Sequence, residues 1–183
     1  MNKPKEIILH CAATVEGKSF TAADIEKWHK KRGFKKIGYH YVIKLDGTIE
    51  KGREEKETGA HTVNHNSKSI GIFYIGGLAK DAKTPKDTRT DKQKEAMYQL
   101  VDDVMNRYNI TLNEIHGHYE FATKACPSFK IEQFRQEFTQ WKEKHKNNNN
   151  INVLLTTTND NSLKNKIITF IYKLIKFLLK QKQ

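Results

Sequence analysis

The chain has 183 residues, 33 Lys and Arg against 21 Asp and Glu for a formal charge of +12, and two cysteines. That length supports one cored domain with something added. Two cysteines exclude a disulfide-built scaffold, and residues 1–7 lack the apolar stretch of a secretory signal, so synthesis and folding in the cytoplasm are expected. The basic excess suits nucleic acid, wall polymer or anionic lipid alike and selects none of them.

In chain order, residues 6–10 read as a short buried strand ending in His10. Thr21 and Asp24 are spaced as a capping box for a helix through Ile25 and Trp28 that stops at Gly33. Residues 40–45 and 48–53 flank Asp46-Gly47, a hairpin signal. The continuous apolar run 70–75 before Gly76-Gly77 predicts a central strand. Thr90 and Gln93 open a second helix with one apolar face at 97, 100, 101, 104, 105 and 108. Ile131, Phe134, Phe138 and Trp141 mark a third. Interleaved strands and helices give an α/β fold, a central sheet flanked by helices on both faces.

The chemistry concentrates in residues 115–129. His118 stands eight before Cys126, Lys124 two before it, and Pro127 directly after it. Imidazole and thiolate are donors that zinc favours, and His10 supplies a third. Three protein ligands leave one coordination position for water, the arrangement of a hydrolytic rather than a structural site. His116, two before His118, is a rival ligand on spacing alone. Cys11 neighbours His10 on a strand and therefore faces the other way, towards the core.

Five stretches in order carry a resemblance: His10-Cys11-Ala12-Ala13-Thr14, Gly38-Tyr39-His40-Tyr41, Gly59-Ala60-His61, Asn66 to Gly71, and His118 to Phe129. The series resembles the zinc-dependent N-acetylmuramoyl-L-alanine amidases, a group that includes phage lysozyme-type amidases and peptidoglycan recognition proteins. The match covers about residues 6–141. It implies a mixed sheet with zinc at its edge, held by His10, His118 and Cys126. The family's spacing favours His118 over His116. The resemblance also implies Tyr39 near the water or the transition state and Lys124 at the oxyanion. His61 and Asn66 are expected in the substrate groove, Thr14 lining the cleft, and His40 supporting the site from behind. His29 fits a helix end packed on the sheet.

The implied reaction cuts the amide between N-acetylmuramic acid and L-alanine in peptidoglycan. The alternative is a non-lytic muropeptide-binding or regulatory module, and recognition proteins of that kind resemble this pattern but lack the Cys126 thiol. No specific nucleic-acid partner is expected, and a monomer is. With no signal and no wall-binding repeat, the architecture resembles a phage or prophage endolysin, made in the cytoplasm and acting on the wall after release.

Beyond the resemblance, residues 1–145 are expected as the amidase domain and 146–162 as a polar linker. Residues 163–183 are expected as a cationic amphipathic helix. There Lys166, Lys173, Lys176 and Lys180 gather on one side, and Leu163, Ile167, Phe170, Leu174 and Phe177 fall on the wide apolar face. A helix of that kind lies in an anionic membrane interface; the alternative is packing on the domain or on another copy.

Overall fold

The computed structural model describes residues 1–157 together with Asn165 and Thr169, so the helix expected at 163–183 lies outside the described residues. The chain divides into two compact units, Met1–Phe138 and Thr139–Gln183.

The first unit is built on a five-stranded sheet. Its strands are β1 (Glu6–Cys11), β3 (Tyr41–Ile43), β4 (Ile49–Lys51), β5 (Ser69–Tyr74) and β7 (Ile115–Gly117). The order across the sheet is β4-β3-β5-β1-β7. Only β3 and β4 pair antiparallel, through the Asp46-Gly47 turn; the other pairs are parallel. A separate two-stranded parallel ladder joins β2 (Thr14–Val15) to β6 (Gly77–Leu78). Every residue of β1 and β5 is buried, as strands of a parallel sheet covered on both faces must be.

Alternation along β5 assigns the two layers. Phe73 points to one side, where Ile25 and Trp28 of α1 (Ala22–Lys31) pack with Val42 and Ile75. Tyr74 points to the other and meets Phe129, which stacks on Phe134 of α3 (Ile131–Thr157). Tyr98 of α2 (Asp91–Tyr108) packs on Phe134 and Phe138, so α2 and α3 share that layer. Both expected capping boxes form, Thr21 with Asp24 and Thr90 with Gln93. Gln93 does more than cap. Its buried Nε2 donates to the carbonyls of Ile43 and Ile75 at the ends of β3 and β5.

Expected strand and helix ends differ from the observed ones by one to three residues, the usual fraying of assigned ends. The larger difference is α3. It continues through the asparagines at 147–150 to Thr157, so the stretch expected as linker is helical that far. Asparagine has poor helix propensity, which is why the run reads as a break, but propensity is a weak prior.

Candidate metal centre

The ends of two neighbouring parallel strands assemble the centre. Register pairs Leu9 with Gly117, so the residues that follow, His10 and His118, emerge side by side at the C-terminal edge of β1 and β7. Their rings lie 4.5 Å apart. After His118 the chain makes a tight turn, and Tyr119 N–H donates to the Cys126 carbonyl at 2.8 Å, folding residues 119–126 back on the strand ends. The following Cys126–Pro127 peptide is cis. Cys126 Sγ thereby comes 3.7 Å from His10 Nδ1. Among the described residues, His10, His118 and Cys126 form the group of ligand atoms, all within 4.8 Å of one another, that could hold a metal.

The two imidazoles fit a metal in state as well as in position. Burial, then the neighbouring His61, His118 and Lys124, holds His10 well below the ordinary imidazole value. Burial and Lys124 lower His118 too. Both rings are therefore neutral and offer lone pairs. The Cys11 N–H donates to Cys126 Sγ at 3.2 Å, the kind of bond that stabilises a sulfur carrying negative charge. Cys11 is buried as expected, with its own Sγ 3.4 Å from Ser128 Oγ. His116, the rival ligand, is engaged elsewhere: its Nδ1 lies 2.8 Å from Glu120 Oε2.

A cleft of about 280 Å³ lies over these atoms. It is lined by Trp28, His29, Arg32 and Phe34 together with Tyr39, Phe73, Lys124 and Cys126. The Tyr39 ring stacks on Phe73 at 4.3 Å and lies 5.0 Å from the His10 ring. Burial pushes its phenol well above the ordinary value, so it stays a protonated donor at neutral pH. Lys124 is exposed and borders a second, larger cleft of about 400 Å³ with Tyr119 and Lys130. That cleft contains no histidine or cysteine, so the chemistry belongs to the smaller one.

The three residues expected at the groove separate. His61 lines the cleft but is buried, and its Nδ1 lies 3.0 Å from His10 Nε2. Burial and the nearby His40 push it down to about 3. Asn66 turns inward, its Oδ1 accepting from the N–H groups of His61 and Thr62 at 2.7 and 2.9 Å. Thr14 sits in β2 with a buried hydroxyl and is not part of the cleft lining. His40, expected behind the site, bridges backbone instead: Gly71 N–H donates to its Nδ1 and Nε2 contacts the Glu57 carbonyl, both at 3.0 Å. His29 accepts from Gly38 N–H at 2.9 Å, the packed helix end that its place predicts. Sequence reasoning missed Thr62, Ser69 and Gly71, which surround His61. The available signals were the glycine interrupting an otherwise apolar strand run and the place of Ser69 and Gly71 in the Asn66 to Gly71 stretch.

Comparison with known proteins identifies a family. The family profile described as N-acetylmuramoyl-L-alanine amidase matches residues 1–129. The endolysin of Escherichia phage T7 is 34% identical over 128 residues, spanning 70% of this chain and 83% of the relative. The endolysin of Klebsiella phage KP32 is 35% identical over 130 residues with the same coverage. Among solved structures, the N-acetylmuramoyl-L-alanine amidase LysC from Clostridium intestinale superposes with a TM-score of 0.64 at 29% identity, covering 75% of this chain and 87% of that one. With the profile spanning residues 1–129 and phage endolysins 34–35% identical over most of their length, the protein belongs to the N-acetylmuramoyl-L-alanine amidase family.

Proposed function

We propose that the protein is a zinc-dependent endolysin that hydrolyses the amide joining the lactyl group of N-acetylmuramic acid to L-alanine. The observation that carries this reading is the convergence of His10, His118 and Cys126 under a cleft edged by Lys124. Two imidazoles and a thiolate are a zinc donor set, and three ligands leave a position open. When bound there, zinc supplies Lewis acidity that activates water and polarises the scissile carbonyl. Hydrolysis adds water across the amide: the lactyl carbon gains an oxygen, the C–N bond breaks, and L-alanine leaves as a free amine.

The side chains divide the remaining work. Lys124 places a fixed cation where the oxyanion develops, an interaction that strengthens as charge builds. Tyr39, held protonated by burial, donates a hydrogen bond to the same developing charge and does not act as a base. Trp28 and Phe34 offer apolar walls, and Arg32 a cation, to an acidic stem peptide. Asn66 shapes the groove through the 61–62 backbone rather than by reaching into it.

Zinc-loaded, full-length protein incubated with a soluble muramyl peptide should release a peptide with a free L-alanine amino terminus. Metal-loaded protein that leaves the muramyl peptide intact would point to a non-lytic binding module.

The tail extends the reading. A segment with lysines and no acid after Asp160 suits anionic lipid, and among the described residues no helix is long and apolar enough to cross a membrane. Full-length protein should bind anionic vesicles more tightly than a chain ending at Thr157. Equal binding of the two would remove the tail from this account.

A further inference from the structure

His61 is enclosed more completely than a substrate-binding residue needs to be. A Cβ built on Gly59 would lie 2.5 Å from its Cδ2, and one built on Gly71 would lie 2.6 Å away. The two glycines form a slot in which the ring is fixed. Its edges then meet polar partners on both sides. Nδ1 lies 3.0 Å from His10 Nε2 and 3.1 Å from Thr62 Oγ1, and Nε2 lies 3.4 Å from Ser69 Oγ.

The direction of every bond in this chain follows from its far end. The Ser69 hydroxyl donates to the His65 carbonyl at 2.7 Å, and a carbonyl can only accept. Ser69 has one hydrogen, so towards His61 its oxygen accepts, and His61 Nε2 carries the proton. A neutral imidazole protonated at Nε2 is bare at Nδ1, where it accepts from His10 Nε2–H. Thr62 Oγ1, also 3.4 Å from His10 Nε2, accepts a share of the same N–H, which leaves the assignment of both rings unchanged. His10 is left bare at Nδ1, the nitrogen that faces Cys126 Sγ at 3.7 Å.

We propose that His61 and Ser69 are positioning residues that fix His10 as the Nε2–H tautomer, aiming the lone pair of Nδ1 at the metal. The inference rests on the metal-centre reading above and adds a role to residues outside the ligand set. Loss of such outer partners costs about 10–100-fold in metal affinity. The serine carbonyl bond at the end of the chain makes the tautomer a property of the fold, set before any metal arrives.

Two measurements on the full-length protein test this. In the metal-free protein, long-range proton–nitrogen NMR should show bare Nδ1 and protonated Nε2 on both His10 and His61. The opposite tautomer on either ring overturns the proposal, whatever the protein does with zinc. Chelator competition should then give about 10–100-fold weaker zinc binding for His61→Ala. His61→Asn, which returns an acceptor oxygen near the Nδ1 position, should recover most of the loss. Wild-type affinity in His61→Ala, or no recovery in His61→Asn with the fold intact by circular dichroism, overturns it as well. Absence of zinc binding by wild-type protein would instead contradict the metal-centre reading, and the NMR result would still decide the tautomer.

Discussion

At its start β1 carries Glu6, whose Oε1 lies 2.6 Å from His65 Nδ1 and 3.8 Å from Lys68 Nζ. At its end it carries His10, whose Nε2 lies 3.0 Å from His61 Nδ1. The same loop, residues 61–68, therefore grips one strand twice. The first grip is an acid between basic groups, and its groups are spent on each other. The second has no acid in it. One N–H of His10 is spent on His61, and what remains is a nitrogen lone pair directed at a thiol. Closed pairing makes a clamp, whereas pairing that leaves one atom free makes a ligand. The difference predicts that damage at the two grips will appear in different measurements.

The largest effect should follow Cys126→Ser, which removes a ligand. Zinc content and hydrolysis should fall together, by more than the 10–100-fold that loss of an outer partner brings. Next comes Lys124→Ala. It should lower the rate by about 10²–10³-fold, the scale for one oxyanion-stabilising group, with zinc content unchanged. A normal rate in that variant would take Lys124 out of the mechanism.

Tyr39→Phe should lower the rate while leaving the shape of the pH profile as it is. Burial raises the folded phenol above its ordinary value, so it is protonated throughout the neutral range and titrates only at higher pH. Loss of a limb of the neutral profile in Tyr39→Phe would mean that the phenol does exchange a proton. The smallest effect belongs to the clamp. Glu6→Gln should cost about 1.5–3 kcal/mol of unfolding free energy, the scale for a hydrogen bond to a charged group, and should leave zinc affinity at the wild-type value. Weakened zinc binding there would show that the two grips are coupled.

Much of this was legible in the chain. The apolar run 70–75, the capping pairs Thr21 with Asp24 and Thr90 with Gln93, and the Asp46-Gly47 turn each express a local rule that the fold obeys. His10, His118 and Cys126 could be grouped by donor type, and the order of motifs singled them out from rivals such as His116. Nothing in spacing alone puts residue 10 beside residue 118; the parallel pairing of β1 with β7 does that. His61 was legible as a site residue but not in its placement. Its setting depends on a slot between Gly59 and Gly71 and on a hydroxyl at Ser69, contacts made across space that no periodicity encodes. Asn66 similarly reads as a polar loop residue exposed to a groove, and only the folded loop shows its oxygen turned onto backbone N–H groups.

The most direct test of the central claim is zinc X-ray absorption on the metal-loaded, full-length protein. The account predicts one sulfur at about 2.3 Å and two imidazole nitrogens at about 2.0–2.1 Å, with the remaining position filled by a light atom from solvent. In Cys126→Ser the sulfur shell should vanish. A wild-type spectrum with no sulfur shell, or with two sulfurs, would contradict a centre made of His10, His118 and Cys126.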